Sequence, residues 1–264
     1  MEMSPSDLTS RPWQTLAVQV ADGVCRVRLG GREGGGTITA GLVAELGAVV
    51  AVCADMAARP AITVLVLEGT PTVFCAGGDL AGASGQDQAD DPAPLYDLWT
   101  RLSTGPFVSI ALVQGKATAG GVGFAAACDV VLAARSASFQ LPELLFGLYP
   151  ACVLPFLARR VGMQRAHQLA LGTRTIDAAE ALAWGLADAV EADAEALLRS
   201  HLVRLRRLGK PALARYKAYA AGVADTIERC RPAALAANRE MFADPDVRAN
   251  IARYVTELKF PWEP

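Results

Sequence analysis

Three short runs, ITVLVLEG at 62–69, FVSIALVQG at 107–115 and VVLAA at 130–134, are packed with aliphatic and β-branched residues and show no apolar-polar alternation. A strand can be apolar on both sides only where both of its faces are covered, so these runs require a largely parallel sheet sandwiched by helices. The intervening segments fit that requirement. From Thr39 to about Ala58 the apolar residues recur at helical spacing, a helix is expected at about Leu95 to Ser103, and ATAGGVGFAAACD reads as a glycine-led turn opening a small-residue helix. Ahead of them, TLAVQVADGVCRVRL holds two alternating runs around Ala21-Asp22-Gly23 and predicts a β-hairpin. Strands and helices thus alternate to about residue 135. After Gly172 the texture becomes helical, with segments around 177–184, 193–209, 211–222, 227–243 and 246–257. The expected organisation is a sheet-based core over 1–195 followed by a helical region over 196–264, without internal repeats.

The composition narrows function by exclusion. Lys and Arg number 25 against 27 Asp and Glu, a net charge near −2 that provides no broad field for a nucleic-acid backbone or an anionic membrane. The longest apolar stretch of the first third, Leu46 to Ala54, stops at Asp55, well short of the ~20 residues that span a bilayer. The first residues, MEMSPSDLTSRPW, lack the apolar core of a secretory signal, and the chain reads as cytoplasmic. Six cysteines without a C-x-x-C pair read as small buried hydrophobes, and no metal site is expected.

Little catalytic machinery of the familiar kinds is present. Only two histidines, His167 and His201, occur, both in expected amphipathic helices, and neither a G-x-S-x-G elbow nor a G-x-x-x-x-G-K-[ST] loop is found. What remains is a pair of glycine clusters, Ala76-Gly77-Gly78-Asp79 and Ala119-Gly120-Gly121-Val122-Gly123, each following a buried strand. Either alone is satisfied as a tight turn. Together, at the carboxyl ends of neighbouring strands, they can bring backbone N–H groups and a helix N-terminus to the oxygen of a carbonyl becoming an enolate. A third element is Glu143, a lone carboxylate in the apolar segment SFQLPELLFGLYP; it reads as a helix N-terminal charge or as a desolvated acid suited to proton transfer.

FCAGGDL, GKATAGGVGFAAACDVVLA and FQLPELLFGLYP, in this order, resemble the signature regions of the enoyl-CoA hydratase/isomerase (crotonase) superfamily, a likeness that runs over essentially the whole chain. The resemblance implies an α/β fold, the crotonase (ClpP-like) spiral of β-β-α units with a helical C-terminal trimerisation region, and a homotrimer or hexamer. It implies a thioester enolate held between the N–H groups of Gly78 and Gly120, with no cofactor. Hydratases of the family use two glutamates; here the positions read Gly123 and Glu143, so the two-carboxylate mechanism is not available and Glu143 is the one candidate acid/base. The loop that often meets CoA phosphates reads Gly31-Arg32-Glu33-Gly34-Gly35-Gly36-Thr37, where Glu33 would repel a phosphate.

PLYDLW, STGPFVSI, ELLFGLYPACVLPFL, HLVRLRRL, ANREMF and the terminal RYV and FPWE segments are similar to the dehydratases of polyketide β-branching cassettes. That likeness implies dehydration of 3-hydroxy-3-methylglutaryl-ACP to 3-methylglutaconyl-ACP, the substrate carried on the phosphopantetheine of an acyl carrier protein, or on CoA. Alternatives are the decarboxylase of the same cassette, a general enoyl-CoA hydratase, and a catalytically silent crotonase-fold binding subunit. The basic concentration in 199–217, with Arg204, Arg206, Arg207 and Lys210 at its centre, is expected either to dock an acidic carrier protein or to form a solvated helix face. Lys116 is the expected partner of the substrate's free carboxylate, against a plain surface lysine, and Tyr96 the expected lining of the acyl pocket, against a core aromatic. His167, His201, Trp99 and Cys75 read as structural.

Overall fold

The computed structural model describes residues 3–31, 36–79 and 91–263. Residues 32–35 and 80–90, which include Glu33 and most of the acidic stretch, lie outside the described residues.

The chain enters through a short helix α1 (Pro5–Ser10) and the expected hairpin, β1 (Leu16–Ala21) with β2 (Val24–Leu29), turning at Asp22-Gly23. A repeated unit then builds the molecule. Each contributes one strand to a large sheet, a shorter strand to a smaller sheet, and a helix. The first is β2 with β3 (Thr37–Ile38) and α2 (Ala40–Ala54); the second is β4 (Val64–Glu68), β5 (Val73–Cys75) and β6 (Gly77–Gly78) with α3 (Ala93–Thr104). The third is β7 (Val108–Val113), β8 (Lys116–Thr118) and α4 (Gly120–Ala127); the fourth is β9 (Val130–Ala134), β10 (Ser138–Gln140) and α5 (Leu154–Gly172), preceded by one 3-10 turn at Glu143–Phe146. The large sheet has six strands in the order β1-β2-β4-β7-β9-β12, parallel throughout except for β1, where β12 is Ala189–Glu191. A four-stranded sheet runs β11-β10-β8-β5, with β11 (Ile176–Asp177) antiparallel, and β3 pairs with β6 in a two-stranded ladder. This is the expected spiral of β-β-α units.

The sequence dictates these elements locally. The four apolar residues of β4 and the five of β7 are buried, with Ser109 between them, as the non-alternating runs require. Thr39 caps α2 by accepting from the Leu42 amide at 3.1 Å, and Asp177 and Asp193 do the same for α6 (Ala178–Trp184) and α7 (Ala194–Leu205). Three further helices follow: α8 (Lys210–Val223), α9 (Thr226–Ala243) and α10 (Pro245–Glu257).

Two differences from expectation concern this C-terminal region. The 195/196 division falls inside α7, whose Ala194 and Leu198 pack with Leu213 of α8 onto Val64, Val108 and Leu132 of the large sheet. The helical region therefore supplies the second cover of the sheet. The basic run is not one solvated face either. Lys210 is only 4% exposed, and its ammonium donates to the carbonyls of Cys53 at 2.6 Å and Asp55 at 2.7 Å, closing the C-terminus of α2. Lys217 is likewise internal, paired with Asp129 at 2.7 Å. A periodic charge pattern cannot reveal this, because a long aliphatic stem lets a lysine reach buried carbonyls from a helix that looks solvated.

Candidate active site

The three segments singled out in the sequence converge at one edge. Strands β5, β8 and β10 are parallel neighbours, with Thr118 opposite Gln140 and Ala117 opposite Cys75, so their carboxyl ends lie side by side. Gly78 follows β5 by three residues, Gly120 follows β8 by two, and Glu143 follows β10 by three. The carboxyl ends of parallel strands are where such folds place ligands.

Close backbone approach explains the glycines. A Cβ on Gly121 would lie 2.4 Å from the Cys75 carbonyl oxygen, and one on Gly77, which has φ +92°, would lie 3.0 Å from the Ala119 Cβ. The two glycine clusters are pressed together, and no other residue type fits the contact. Ile38, the ladder partner of Gly78, reaches across so that its Cδ1 would sit 2.6 Å from a Cβ on Gly120. Gly78 and Gly120 are thereby brought to the same neighbour. Ala119 turns the chain with φ 51° and ψ −117°, a conformation costly for a residue with a Cβ, where β8 gives way to α4. The Val122 amide donates to the Ala119 carbonyl at 2.9 Å, which leaves the amides of Gly120 and Gly121 as the ones with no carbonyl before them in the helix.

Glu143 opens the 3-10 turn beyond Pro142. Its Oε2 is buried without a hydrogen-bond partner among the described residues, and burial pushes its carboxyl up to about 7, opposed only by its own backbone amide. A carboxyl at that value is half ionised near neutrality, able both to take a proton and to return it. The turn is held from outside by the C-terminal helices. Phe146 packs edge-on against Tyr254 of α10 with centroids 4.9 Å apart, Phe260 lies 5.7 Å from Phe146, and the Tyr149 amide meets the Met241 sulfur at 3.1 Å. Such aromatic pairs contribute about 1 kcal/mol each beyond their burial.

Position 123 shows why one carboxylate is present rather than two. A Cβ on Gly123 would lie 2.6 Å from both Cζ2 and Cη2 of Trp99 and 3.1 Å from its Cε2. The indole fills the room a side chain at 123 would need, held edge-on by Phe124 at 5.7 Å and Phe156 at 5.6 Å. Trp99 was expected to be structural. It is 1% exposed, yet its Nε1 has no partner among the described residues. The composition of the α3 segment could not reveal this, since an aromatic at helical spacing is ordinarily core.

The remaining expectations fare differently. Tyr96 is fully buried and donates its hydroxyl to the Ile227 carbonyl at 2.6 Å, so it is a core residue that ties α3 to α9 rather than a polar group free to meet an acyl chain. Lys116 lies on the solvent side of the four-stranded sheet, in a shallow pocket of about 70 Å³ with Ser138, Gln140 and Thr175; none of Gly78, Gly120 and Glu143 lines it. Arg204, Arg206 and Arg207 are exposed, Arg206 contacting Asp22 at 3.4 Å, whereas Lys210 is removed from that surface by its buried bonds. Cys75 and four other cysteines are buried and free; Cys230 is half-buried. Among the described residues no cluster of His, Cys, Asp and Glu could hold a metal ion, and no helix is long and apolar enough to cross a membrane.

A spiral of β-β-α units with glycine turns after two adjoining strands and a buried carboxyl three residues beyond the next defines an enzyme of the enoyl-CoA hydratase/isomerase family, and the chain belongs to that family, whose sequence model matches residues 19–264. It is a hydro-lyase of the dehydratase type. Among curated proteins it is similar to the Bacillaene synthase dehydratase PksH of Bacillus subtilis (strain 168), with 46% identity over 256 residues that cover 95% of this chain and 97% of that one. A crystal structure of the Bacillus subtilis protein pksH, described as a polyketide biosynthesis enoyl-CoA hydratase, superposes with a TM-score of 0.90 at 45% identity, covering 94% of this chain and 100% of that chain. An enoyl-CoA hydratase from Mycobacterium avium subsp. paratuberculosis K-10 superposes with a TM-score of 0.81 at 27% identity, covering 96% and 100%.

Proposed function

We propose that the enzyme dehydrates 3-hydroxy-3-methylglutaryl-ACP to 3-methylglutaconyl-ACP in polyketide β-branching. The observation that carries this reading is the buried, unpartnered carboxyl of Glu143, on a strand end next to those of the two glycine turns, where Trp99 fills the room of a second carboxylate at 123. In the proposed mechanism the thioester oxygen accepts hydrogen bonds from the amides of Gly78 and Gly120. Glu143, as carboxylate, removes a proton from C2; the electron pair moves onto the held oxygen as an enolate. The enolate then collapses, the C2–C3 double bond forms, the C3–O bond breaks, and the departing hydroxyl takes back the proton from Glu143 as water. One carboxyl serves both steps because its pKa of about 7 suits neither step at the expense of the other.

Delivery on a carrier protein is supported by the likeness to the bacillaene synthase dehydratase and by the exposed Arg204, Arg206 and Arg207. In this reading those three guanidinium groups meet the acidic carrier, and the protein assembles as a trimer or hexamer in the cytoplasm. Intact-mass analysis after incubation with 3-hydroxy-3-methylglutaryl-ACP, and separately with its CoA ester, tests the assignment. Loss of water from the carrier-bound substrate is expected. Loss of carbon dioxide from added 3-methylglutaconyl-ACP would instead make the protein the decarboxylase of such a cassette, and silence on both would leave a binding subunit.

A further inference from the structure

Two buried side-chain polar atoms lack a hydrogen-bond partner among the described residues, and they belong to Glu143 and Trp99. They are complementary: an indole N–H can only donate, and a carboxylate can only accept. Native proteins leave few such groups, and a buried donor without an acceptor is costly unless a ligand completes it. The six-membered ring of the indole is what meets α4, through Cζ2 and Cη2 at Gly120 and through Cζ2, Cη2 and Cε2 at Gly123. A Cβ on Gly120 would lie 3.8 Å from Cζ2, and one on Gly123 would lie 3.1 Å from Cε2. The ring that carries the unpartnered donor therefore packs beside Gly120, the proposed enolate-binding residue, and against the position one helical turn further along, with Nε1 one covalent bond from the Cε2 that faces Gly123.

Building on the functional reading above, we propose that Trp99 is a substrate-binding residue whose indole N–H donates a hydrogen bond to the 3-hydroxyl oxygen of the acyl chain. The thioester oxygen has its own donors at Gly78 and Gly120, and the next oxygen along the acyl chain is on C3, two bonds from the carbonyl carbon. A neutral donor there stabilises the negative charge that develops on that oxygen as the C3–O bond breaks, without taking the proton, which comes from Glu143. It also keeps a second anionic side chain away from a substrate that itself carries a free carboxylate. The loss of a glutamate at 123 and the presence of an indole at 99 are thus one feature: the ring that closes the space supplies the donor.

The test combines turnover with a spectroscopic readout. Trp99→Phe keeps a ring against Gly123 and deletes the N–H. With 3-hydroxy-3-methylglutaryl-ACP it is expected to lose on the order of tenfold to a hundredfold in kcat/KM, the effect of one hydrogen bond to a charge-developing oxygen. In the turnover-blocked Glu143→Gln protein, the Trp99 indole N–H resonance, assigned by its contacts with the Phe124 and Phe156 rings, should move downfield on adding 3-hydroxy-3-methylglutaryl-pantetheine. The 3-deoxy analogue, 3-methylglutaryl-pantetheine, should not move it. Equal response to both ligands, or kcat/KM of Trp99→Phe within twofold of wild type, would overturn the inference while leaving the dehydratase reading intact. Failure of the wild type to dehydrate the substrate would overturn both. Should Trp99→Phe not fold, the resonance comparison decides alone.

Discussion

The Ala119 amide donates to the Gln140 carbonyl at 2.9 Å, so a single hydrogen bond joins the turn that carries Gly120 to the strand that delivers Glu143. The proposed oxyanion donor and the candidate base are positioned by the same parallel pairing of β8 and β10, three residues from their last paired positions at most. Neither group is placed by a flexible loop. The chemistry is therefore set by sheet register, and the C-terminal helices press the Glu143 turn onto that frame through Phe146 and Tyr254.

Glu143→Gln is expected to lower kcat by about 10³-fold or more, with substrate affinity little changed, because the amide keeps the shape and loses the base. Single-turnover kinetics and ligand titration check the split.

The raised carboxyl of Glu143 links activity and stability to pH. The wild-type kcat/KM should climb about tenfold per pH unit below about 7 and level off above it, since the free enzyme needs the carboxylate. Stability follows the opposite course. The folded protein holds a proton that the unfolded chain releases above its ordinary 4.5, so stability falls as pH rises from there and the loss is complete above about 7. The conversion of 1.36 kcal/mol per pKa unit puts that loss at about 3 kcal/mol. Urea titrations should therefore find Glu143→Gln more stable than wild type at pH 8 and equal to it at pH 4.

Restoring a carboxylate at position 123 is expected to fail. Gly123→Glu must displace the Trp99 ring from a 2.6 Å contact, and even Gly123→Ala should cost about 1–3 kcal/mol through overpacking. Thermal unfolding measures the cost, and turnover with a CoA-bound enoyl substrate should show no gain.

The basic segment is expected to separate into two functions. Lys210→Met should cost about 1–3 kcal/mol by stripping two carbonyls at the end of α2 of a charged donor, without weakening carrier recognition. Arg204→Glu, Arg206→Glu and Arg207→Glu combined should leave stability nearly unchanged while raising KM for the carrier-bound substrate at least tenfold and leaving the pantetheine-bound substrate alone. Parallel steady-state assays with the two thioesters distinguish these outcomes.

Ala119→Gly should stabilise the protein by about 1 kcal/mol, because the left-handed φ of 51° strains a residue that carries a Cβ. The urea midpoint is the readout, and an unchanged or lower midpoint would show that the turn is not strained.

The sequence by itself determined the alternation of buried strands and helices, the hairpin at Asp22-Gly23, the helices of the last third and the strand-end positions of the two glycine clusters and of Glu143, the proposed catalytic group. Each is written in local chemistry: both-face apolar runs, a turn cluster, helical spacing, glycines after strands, a lone acid in an apolar segment. Short strands such as β11 and β12 exist because neighbouring strands complete them, and the long α5 bends at Gly162. Only tertiary structure decided which polar groups lie inside. It turned Tyr96 into a core strut, sent the Lys210 ammonium to a distant helix end, and laid the Trp99 indole over Gly123. The physical reason is that local pattern reports which face of an element is apolar, whereas a hydrogen-bond partner more than 100 residues away is supplied only by packing, as Tyr96 with Ile227 and Lys210 with Cys53 and Asp55 show.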